Sequence, residues 1–247
     1  MEVLKVENVS KSFDGEEIIH EISLELKKGE IVSLLGVSGG GKTTLFNIIA
    51  GLSFPDKGSV FLNGEEITGK PGNVSYMLQK DLLLPYRTIV DNVALPLLIR
   101  GVKKSEARKR ASAFFEEFGL AGTEQKYPSQ LSGGMRQRAA LLRTYLFSEK
   151  VALLDEPFSA LDMLTKSSVH QWYLDIMEKI HLSTLFITHD IDEAILLSDR
   201  IYLLTGKPGQ LTKEIVIAEP KPRKKDFHLS EEFLAYKKEI IAHLENA

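Results

Sequence analysis

The feature that most constrains this chain is a glycine-rich segment that directly follows an apolar run. The run is Ile31-Val32-Ser33-Leu34-Leu35, and the segment is Gly36-Val37-Ser38-Gly39-Gly40-Gly41-Lys42-Thr43-Thr44. A short apolar run predicts a buried strand, and the spacing of Leu45, Ile48 and Ile49 predicts a helix with one buried face. Because glycine lets the backbone curl closely, a strand, tight loop and helix in this order can point several N–H groups at one place.

These residue types fit the binding of a nucleoside triphosphate. The first N–H groups and the positive dipole end of a helix attract phosphate. The Lys42 ammonium would reach the β- and γ-phosphates, and the Thr43 hydroxyl would bind Mg²⁺. The alternative is a glycine-rich turn beside a solvated lysine, which the flanking strand and helix make a poorer explanation. The loop residues that we assign to nucleotide binding are Gly36, Ser38, Gly39, Gly40, Gly41, Lys42, Thr43 and Thr44.

Composition limits the classes of protein that this sequence can encode. The chain has 247 residues, 43% hydrophobic and 26% charged, enough for one α/β domain with a subdomain. Its net charge of −3 gives no basic excess, so we expect no nucleic-acid partner. It contains no cysteine, which excludes disulfides, thiol catalysis and cysteine-ligated metal centres. Since no apolar run approaches the ~18 residues of a membrane helix, we expect a soluble, cytoplasmic chain.

Three further predicted strands end at polar side chains. A short apolar run precedes each of Gln79, the pair Asp155-Glu156, and His189. Ligands of open parallel sheets bind at the carboxyl ends of the strands, so we expect these side chains beside the glycine-rich loop. Of two adjacent carboxylates, one can hold magnesium while the next orients the attacking water. Gln79 could reach the magnesium ion or this water. The alternatives are that the carboxylates cap the following helix and that His189 has a structural role.

The remaining sequence predicts two subdomains and a C-terminal extension. Residues 3–10 and 18–26 alternate apolar and polar side chains, as antiparallel strands do. From about 81 to 150 the pattern becomes helical, which predicts an inserted α-helical subdomain. We place the main domain at 1–220 and assign 221–247 to a C-terminal linker and helix.

Two basic segments are interpreted as solvated surface. Between 103 and 110 the basic side chains are expected on the outer face of a helix that Ser105 caps and Gly119 ends. Residues 221–225 are expected to form a solvated linker.

Two positions have both a functional and a structural interpretation. Phe13, in a turn ahead of the glycine-rich loop, could stack on adenine, although a core residue is the commoner explanation. Ser132-Gly133-Gly134 opens a predicted helix, and this helix start is either a second anion site or a simple N-cap.

Taken together, these motifs resemble the ATP-binding cassette (ABC) ATPases of membrane transporters over nearly the whole chain. The resemblance implies an α/β fold: a P-loop NTPase core with a mixed parallel sheet, an antiparallel β-subdomain and the inserted α-helical subdomain. It implies ATP and Mg²⁺ as cofactors. The features that carry it, in order and spacing, are Phe13, the loop 36–44, Gln79, Leu131-Ser132-Gly133-Gly134, Asp155-Glu156, the segment 159–162 and His189.

The resemblance also implies roles for single residues in binding nucleotide and metal. Phe13 would stack on adenine, and Lys42 would bind the phosphates. Thr43 and Asp155 would hold magnesium, while Gln79 would sense the metal and the attacking water.

For catalysis, the resemblance makes Glu156 the general base and brings His189 to the γ-phosphate. Gln79 joins them as a catalytic residue. Ser132, Gly133 and Gly134 would serve the ATP that is bound by a second copy of the chain in a head-to-tail dimer.

Two stretches, 84–93 and 131–138, look like the nitrate/sulfonate/taurine importer branch, which includes importers of thiamine-precursor pyrimidines. The implied function is the ATP-hydrolysing subunit of an importer, peripheral on the cytoplasmic face of the membrane. Its partners would be transmembrane permease subunits and, indirectly, a solute-binding protein. The alternatives are an exporter or lipoprotein-release ATPase, a cassette protein acting on ribosomes or DNA, and a module that uses ATP only as a switch.

Overall fold

The structure, a computed structural model, describes residues 2–148, 150–159, 163–221, 223 and 226–246, and only the backbone of 163–168. Of the predicted segment 159–162, all but Ser159 lies outside the described residues. The strands of the described chain are β1 (Glu2–Phe13), β2 (Glu16–Lys27), β3 (Ile31–Gly36), β4 (Lys57–Leu62), β5 (Glu65–Glu66), β6 (Ser75–Met77), β7 (Val151–Asp155), β8 (Ser183–Thr188), β9 (Arg200–Thr205) and β10 (Gln210–Val216).

The larger sheet has six strands in the order β10-β9-β3-β8-β7-β6. Neighbouring strands run parallel except for β10, which pairs with β9 in the antiparallel direction. The carboxyl ends of β3, β6, β7 and β8 therefore meet at one edge, where open parallel sheets bind their ligands. This arrangement confirms the predicted mixed parallel sheet.

The smaller sheet is antiparallel, in the order β2-β1-β4-β5. Its last hairpin turns at Asn63 and Gly64, which have φ angles of 52° and 82°. Positive φ at both central residues is the geometry of a type I′ turn, which Asn-Gly favours. The antiparallel β-subdomain is thus confirmed.

The described helices lie around and between these sheets. They are α1 (Lys42–Ile49), α2 (Ile89–Val93), α3 (Leu95–Ile99), α4 (Lys104–Ser112), α5 (Gly133–Phe147), α6 (Met163–Ile180), α7 (Ile191–Leu197) and α8 (Glu231–Glu245). Within the described ranges, no helix is both long enough and apolar enough to cross a bilayer. Because α2 to α5 lie between β6 and β7 in the chain, the helical subdomain is an insertion, as predicted.

The helix predicted around Ser105 begins and ends elsewhere. Lys103 takes the N-cap position, and its carbonyl accepts a hydrogen bond from the Ala107 N–H at 2.9 Å. The helix ends at Ser112, and the chain continues in turns that bury the rings of Phe115 and Phe118. Packing of these rings into the subdomain core, rather than helical periodicity, determines the path after Ser112.

Two hydrophobic layers cover the faces of the larger sheet. On one face, Val32, Leu34 and Leu153 pack with α1 and the smaller sheet, so α1 lies between the two sheets. On the other face, Ala152 and Leu154 pack with α5, α6 and the helical subdomain. A third cluster joins α7 and α8 to β9. Since α1 is enclosed by both sheets, the loop that precedes it is held on a rigid support.

Two residues of the segment predicted to be a solvated linker, Lys221 and Arg223, pack against the core instead; residues 222, 224 and 225 lie outside the described residues. Lys221 Nζ lies 2.7 Å from Asp199 Oδ2. Arg223 is buried, and its guanidinium donates to the carbonyls of Leu196 and Ser198, both at 2.5 Å. Burial lowers the pKa of Arg223 to about 10. The interpretation of these two residues as solvated was wrong, because Asp199 offers a partner to Lys221 and the open carbonyls at the end of α7 offer partners to Arg223. The domain boundary after 220 stays a prediction.

Candidate nucleotide site

The glycine-rich loop follows a backbone course that side chains would block. A Cβ atom on Gly36 would lie 2.2 Å from the carbonyl oxygen of Leu204 on the neighbouring strand. Gly39 and Gly41 have φ angles of 81° and 89°, in the left-handed region that favours glycine. Gly41 is the N-cap of α1, so the first N–H groups of the helix, from Lys42 onward, open onto the loop.

Lys42 is buried under this loop. Its ammonium donates to the carbonyls of Gly36 at 2.8 Å and Val37 at 2.7 Å. Burial lowers the pKa of Lys42, and the charges of Glu156 and Asp155 partly offset this effect. A buried cation whose charge is disfavoured would gain from an anion placed on the loop.

A cavity of about 320 Å³ opens on the loop. Its wall includes Ser38, Thr43 and Thr44 from the loop and Asp155 and Glu156 from the end of β7. The volume lies at the lower end of the range for small-molecule sites. Hydroxyls, carboxylates and a loop rich in N–H groups therefore face one space.

The carboxyl group of Asp155 is held in an environment that disfavours its charge. Burial raises the pKa of Asp155 most, and the neighbouring charge of Glu156 raises it further. The charge of Lys42 and a hydrogen bond with Thr43 act in the opposite direction without cancelling the rise. Such a group favours the approach of a cation, which would restore its ionised form.

Glu156 brings together the three predicted strand ends. Its backbone has φ 45°, an uncommon value for a residue other than glycine. Gln79 Nε2 donates to Glu156 Oε2 at 3.0 Å, and His189 Nδ1 lies 3.1 Å from Oε1. Both carboxylate oxygens are thus contacted by groups from neighbouring strands, which fixes the direction of the side chain.

Phe13 and the helix start at 132–134 lie apart from this cluster. Within the described residues, the wall of the cavity includes neither. Phe13 is 49% exposed at the end of β1, so its interpretation as a core residue was wrong. Ser132 is exposed at the N-cap of α5, where its hydroxyl accepts a hydrogen bond from the Met135 N–H at 3.3 Å.

One side chain at the site, Ser159, was named from the sequence only as part of the segment 159–162 and was given no role there. Ser159 Oγ donates to the Glu156 carbonyl at 3.0 Å and lies 3.4 Å from Gln79 Nε2. Serine forms local turns through contacts of this kind, so its position three residues after Glu156 was an available signal.

A second set of contacts that was missed flanks His189. Thr188 Oγ1 donates to Glu193 Oε2 at 2.5 Å and accepts from the Asp190 N–H at 3.0 Å. His170 Nε2 lies 3.1 Å from the other oxygen of Glu193. No local sequence signal links α6 to α7, so only the packing of the helices reveals this contact.

Comparison with known proteins agrees with this geometry. A family model for the ABC transporter matches residues 19–159. The formylaminopyrimidine import ATP-binding protein ThiZ of Halalkalibacterium halodurans is 48% identical over 208 residues, which are 84% of this chain and 81% of ThiZ. The nitrate import ATP-binding protein NrtD of a Synechocystis strain is 35% identical over 251 residues, which are 98% of this chain and 94% of NrtD.

A solved structure supports the same assignment. The ATP-binding cassette MJ0796, as a dimer in a post-hydrolysis state with ADP and Pi, superposes with a TM-score of 0.72 at 29% identity. The alignment covers 87% of this chain and 98% of that one. The chain belongs to the ABC transporter family, and it is an ATP-binding ATPase cassette of that family.

Proposed function

We propose that this chain is the ATP-hydrolysing subunit of an importer, which powers uptake of a small solute through a separate membrane permease. The observation that carries the proposal is the contact of Glu156 with Gln79 and His189 beside the glycine-rich loop. The relatives named above are import subunits for formylaminopyrimidine and nitrate. Their names favour import over export. For the solute we propose the nitrate, sulfonate, taurine or thiamine-precursor class, of which these two relatives are examples.

In this function Glu156 is the general base. It would take a proton from the attacking water as the water oxygen bonds to the γ-phosphorus and the bond to the leaving ADP oxygen breaks. Gln79 and His189 hold the Glu156 carboxylate in the direction of the loop. The base is therefore already oriented before the proton is transferred. His189 is assigned to the γ-phosphate, and Lys42 to the β- and γ-phosphates. The exposed ring of Phe13 is available to stack on adenine.

The residues at the site fit a magnesium ion. Mg²⁺ prefers oxygen donors, and the Thr43 hydroxyl, the Asp155 carboxylate and the Gln79 amide oxygen provide them. The raised pKa of Asp155 is the structural sign that a nearby cation would be favoured. When bound, the ion would neutralise charge on the transferred phosphoryl group.

The position of Ser132 supports a head-to-tail dimer with two shared ATP sites. Its helix start is exposed and belongs to a different part of the surface from the cavity beside Lys42. The start of α5 can bind an anion, but it does not face the glycine-rich loop of the same chain. It would instead contact the phosphates of ATP that is bound by the loop of a second copy. The cassette MJ0796 was solved as a dimer, and we extend that arrangement to this chain.

An apolar region supports contact with a permease at the membrane surface. A cavity of about 310 Å³ is bordered by Leu52, Leu95, Pro96 and Ile99. Tyr86, on the wall of a separate cavity, is 93% exposed. Exposed apolar surface of this kind marks protein–protein contacts. We therefore place the chain peripherally on the cytoplasmic face, with the solute-binding protein reached only through the permease.

The test of the base is Glu156→Gln, which keeps the shape of the side chain and removes its proton acceptor. We expect MgATP binding to persist, the rate of phosphate release to fall by about 10²–10⁴-fold, and the dimer to accumulate in light scattering. Glu178→Gln, at an exposed glutamate on α6, is the matched control and should hydrolyse ATP normally. Hydrolysis at the wild-type rate by the Glu156 variant would remove that residue from the base role.

The permease contact is tested with Tyr86→Ala in the assembled transporter. Loss of an exposed aromatic anchor should weaken permease binding and transport while ATP binding by the free subunit is unchanged. Leu229→Ala, at an exposed apolar residue before α8, is the control. Full permease binding and transport by the Tyr86 variant would place the contact elsewhere.

A further inference from the structure

The loop that follows Gln79 is held to the start of α5 by one arginine. Arg136 Nε donates to Asp81 Oδ2 at 3.2 Å, and its Nη1 donates to the Leu131 carbonyl at 2.9 Å. Asp81 is two residues after Gln79, and Leu131 immediately precedes Ser132. A single planar guanidinium thus contacts both the Gln79 loop and the residue before the α5 helix start.

A second arginine fixes the same loop two turns further along α5. Arg143 donates through Nη1 to the Leu82 carbonyl at 2.9 Å and through Nη2 to the Asp81 carbonyl. Leu82 has φ 45°, a conformation that persists only where the surroundings hold it. Asp81 Oδ1 also accepts from the Leu83 N–H at 3.0 Å. The loop is therefore attached to α5 as a unit.

These contacts form a continuous connection between the candidate site at Glu156 and the α5 helix start at Ser132. Glu156 contacts Gln79 at 3.0 Å, and Gln79 is joined through Lys80 to Asp81. Arg136 then joins Asp81 to Leu131 and so to Ser132. A displacement of Gln79 that is transmitted through Lys80 to Asp81 would move the start of α5 or break these bonds.

We propose that Arg136 is a positioning residue that couples Gln79, in the chain's own ATP site, to Ser132, which serves the ATP of the second copy. The proposal rests on the shared-site dimer of the proposed function. In this dimer, nucleotide in the chain's own ATP site would set the position of Ser132 at the ATP site of the second copy. Such an effect of one site on another is coupling between two sites. Arg143 keeps the loop attached to α5 while this happens.

The physical character of the contact separates positioning from simple stabilisation. Arg136 and Asp81 have side chains that are 37% and 28% exposed, and partly exposed ion pairs add little to folding stability. Removing the pair should therefore leave thermal unfolding nearly unchanged. Its effect should appear in cooperativity between the two ATP sites, which a merely structural contact would not alter.

The experiment compares Arg136→Met, Asp81→Asn and the double variant. Asn keeps the oxygen that accepts from Leu83 and loses the charge that Arg136 contacts. We expect unchanged MgATP affinity of the monomer and a Hill coefficient for ATP hydrolysis that moves toward 1. In the Glu156→Gln background, MgATP-driven dimerisation should weaken at least about fivefold, the lower end of typical coupling between sites. The double variant should be no worse than Arg136→Met alone, since both act through one contact.

Arg110→Met is the matched control, because it breaks an ion pair with Glu106 in the same subdomain, 2.7 Å long and away from both sites. It should keep the wild-type Hill coefficient and dimer affinity. Wild-type cooperativity and dimerisation in Arg136→Met would overturn the assignment while leaving the proposed function intact. If the Glu156→Gln parent itself stays monomeric with MgATP, the shared-site dimer fails, and the coupling fails with it. Lower monomer affinity for MgATP in Arg136→Met would also contradict the proposal, because it would show a direct effect on binding.

Discussion

The two ends of the six-stranded sheet both carry charged side chains, but the fold treats the charges in opposite ways. At the carboxyl end, the pKa of Lys42 is lowered, chiefly by burial, and the pKa of Asp155 is raised, again chiefly by burial. Both shifts mean that the folded chain disfavours the charged form. This is the end at which the glycine-rich loop and Glu156 form the candidate site.

At the amino end of the same sheet, the charged forms are favoured. Arg200, whose side chain is 7% exposed, contacts Glu30 through Nε at 2.6 Å and Glu214 through Nη1 at 2.9 Å. The hydrogen bond with Glu30 is the main cause that raises the pKa of Arg200. Burial acts to raise the pKa of Glu30, but hydrogen bonds from Arg200 and the Lys27 N–H outweigh it, so the value is lowered.

The difference shows how one sheet can be both a scaffold and a binding site. The amino end supplies its own counter-charges and is complete without a ligand. The carboxyl end leaves a cation and a carboxylate under-compensated, so that phosphate and a divalent ion would complete them. Substitutions at the two ends should therefore separate stability from binding.

The largest effect is expected at the amino end, from Arg200→Met. The substitution leaves Glu30, whose side chain is 11% exposed, without its arginine partner, and breaking a nearly buried ion pair in this way costs about 3–5 kcal/mol of folding stability. Urea unfolding followed by circular dichroism measures the change. Lys213→Met breaks the exposed pair with Glu239, 3.3 Å long, and should change the unfolding free energy by about 1 kcal/mol or less. Equal losses of unfolding free energy in the two variants would mean that the contacts of Arg200 with Glu30 and Glu214 add no more stability than an exposed ion pair does.

The second effect is expected at the carboxyl end, from Lys42→Met. Loss of charge-assisted hydrogen bonds to phosphate should weaken MgATP binding by about 10–100-fold, which calorimetry measures. The unfolding free energy should stay level or rise, because the variant no longer buries a charge that the fold disfavours. A loss of stability as large as that of Arg200→Met would show that Lys42 is a structural cation and would erase the contrast between the two ends.

Sequence patterns predicted the carboxyl end of the sheet more completely than the amino end. The order of glycines, Lys42 and the polar groups after each apolar run was sufficient, because backbone geometry and strand direction place them. Arg200 and Glu30 are 170 residues apart in the chain, and no local signal links them. The contact between Asp81 and Arg136 spans 55 residues and was missed for the same reason.

The prediction that failed at Arg223 has a related cause. A run of basic residues with prolines is usually solvated, so composition favoured a linker. The structure places the guanidinium against the open carbonyls at the end of α7. Only the tertiary position of the C-terminal segment shows that those carbonyls need a donor, and a single sequence does not contain that position.

The smallest effect tests the two carboxyl groups through the pH dependence of stability. For Glu30 the folded pKa is below its ordinary value, so its contribution is present above the unfolded pKa, about 4.3, and is lost as the pH falls through the folded value. For Asp155 the folded pKa is above its ordinary value, so the folded chain holds the proton more tightly than the unfolded chain does. Stability is therefore lost as the pH rises from the unfolded pKa, about 3.9, through the folded value.

At pH 7, Glu30→Gln should therefore destabilise the fold and Asp155→Asn should stabilise it, each by an amount on the order of 1 kcal/mol, the usual size for a point substitution. At low pH, where both groups are protonated in the folded and unfolded chain, the two variants should approach the wild type because neither wild-type carboxyl then carries charge. Unfolding midpoints in urea measured at pH 7 and at successively lower pH, without nucleotide or divalent ion, give both comparisons. Destabilisation by Asp155→Asn at pH 7 would contradict the contrast, because it would mean that the charge of Asp155 is already compensated within the chain and does not await a cation.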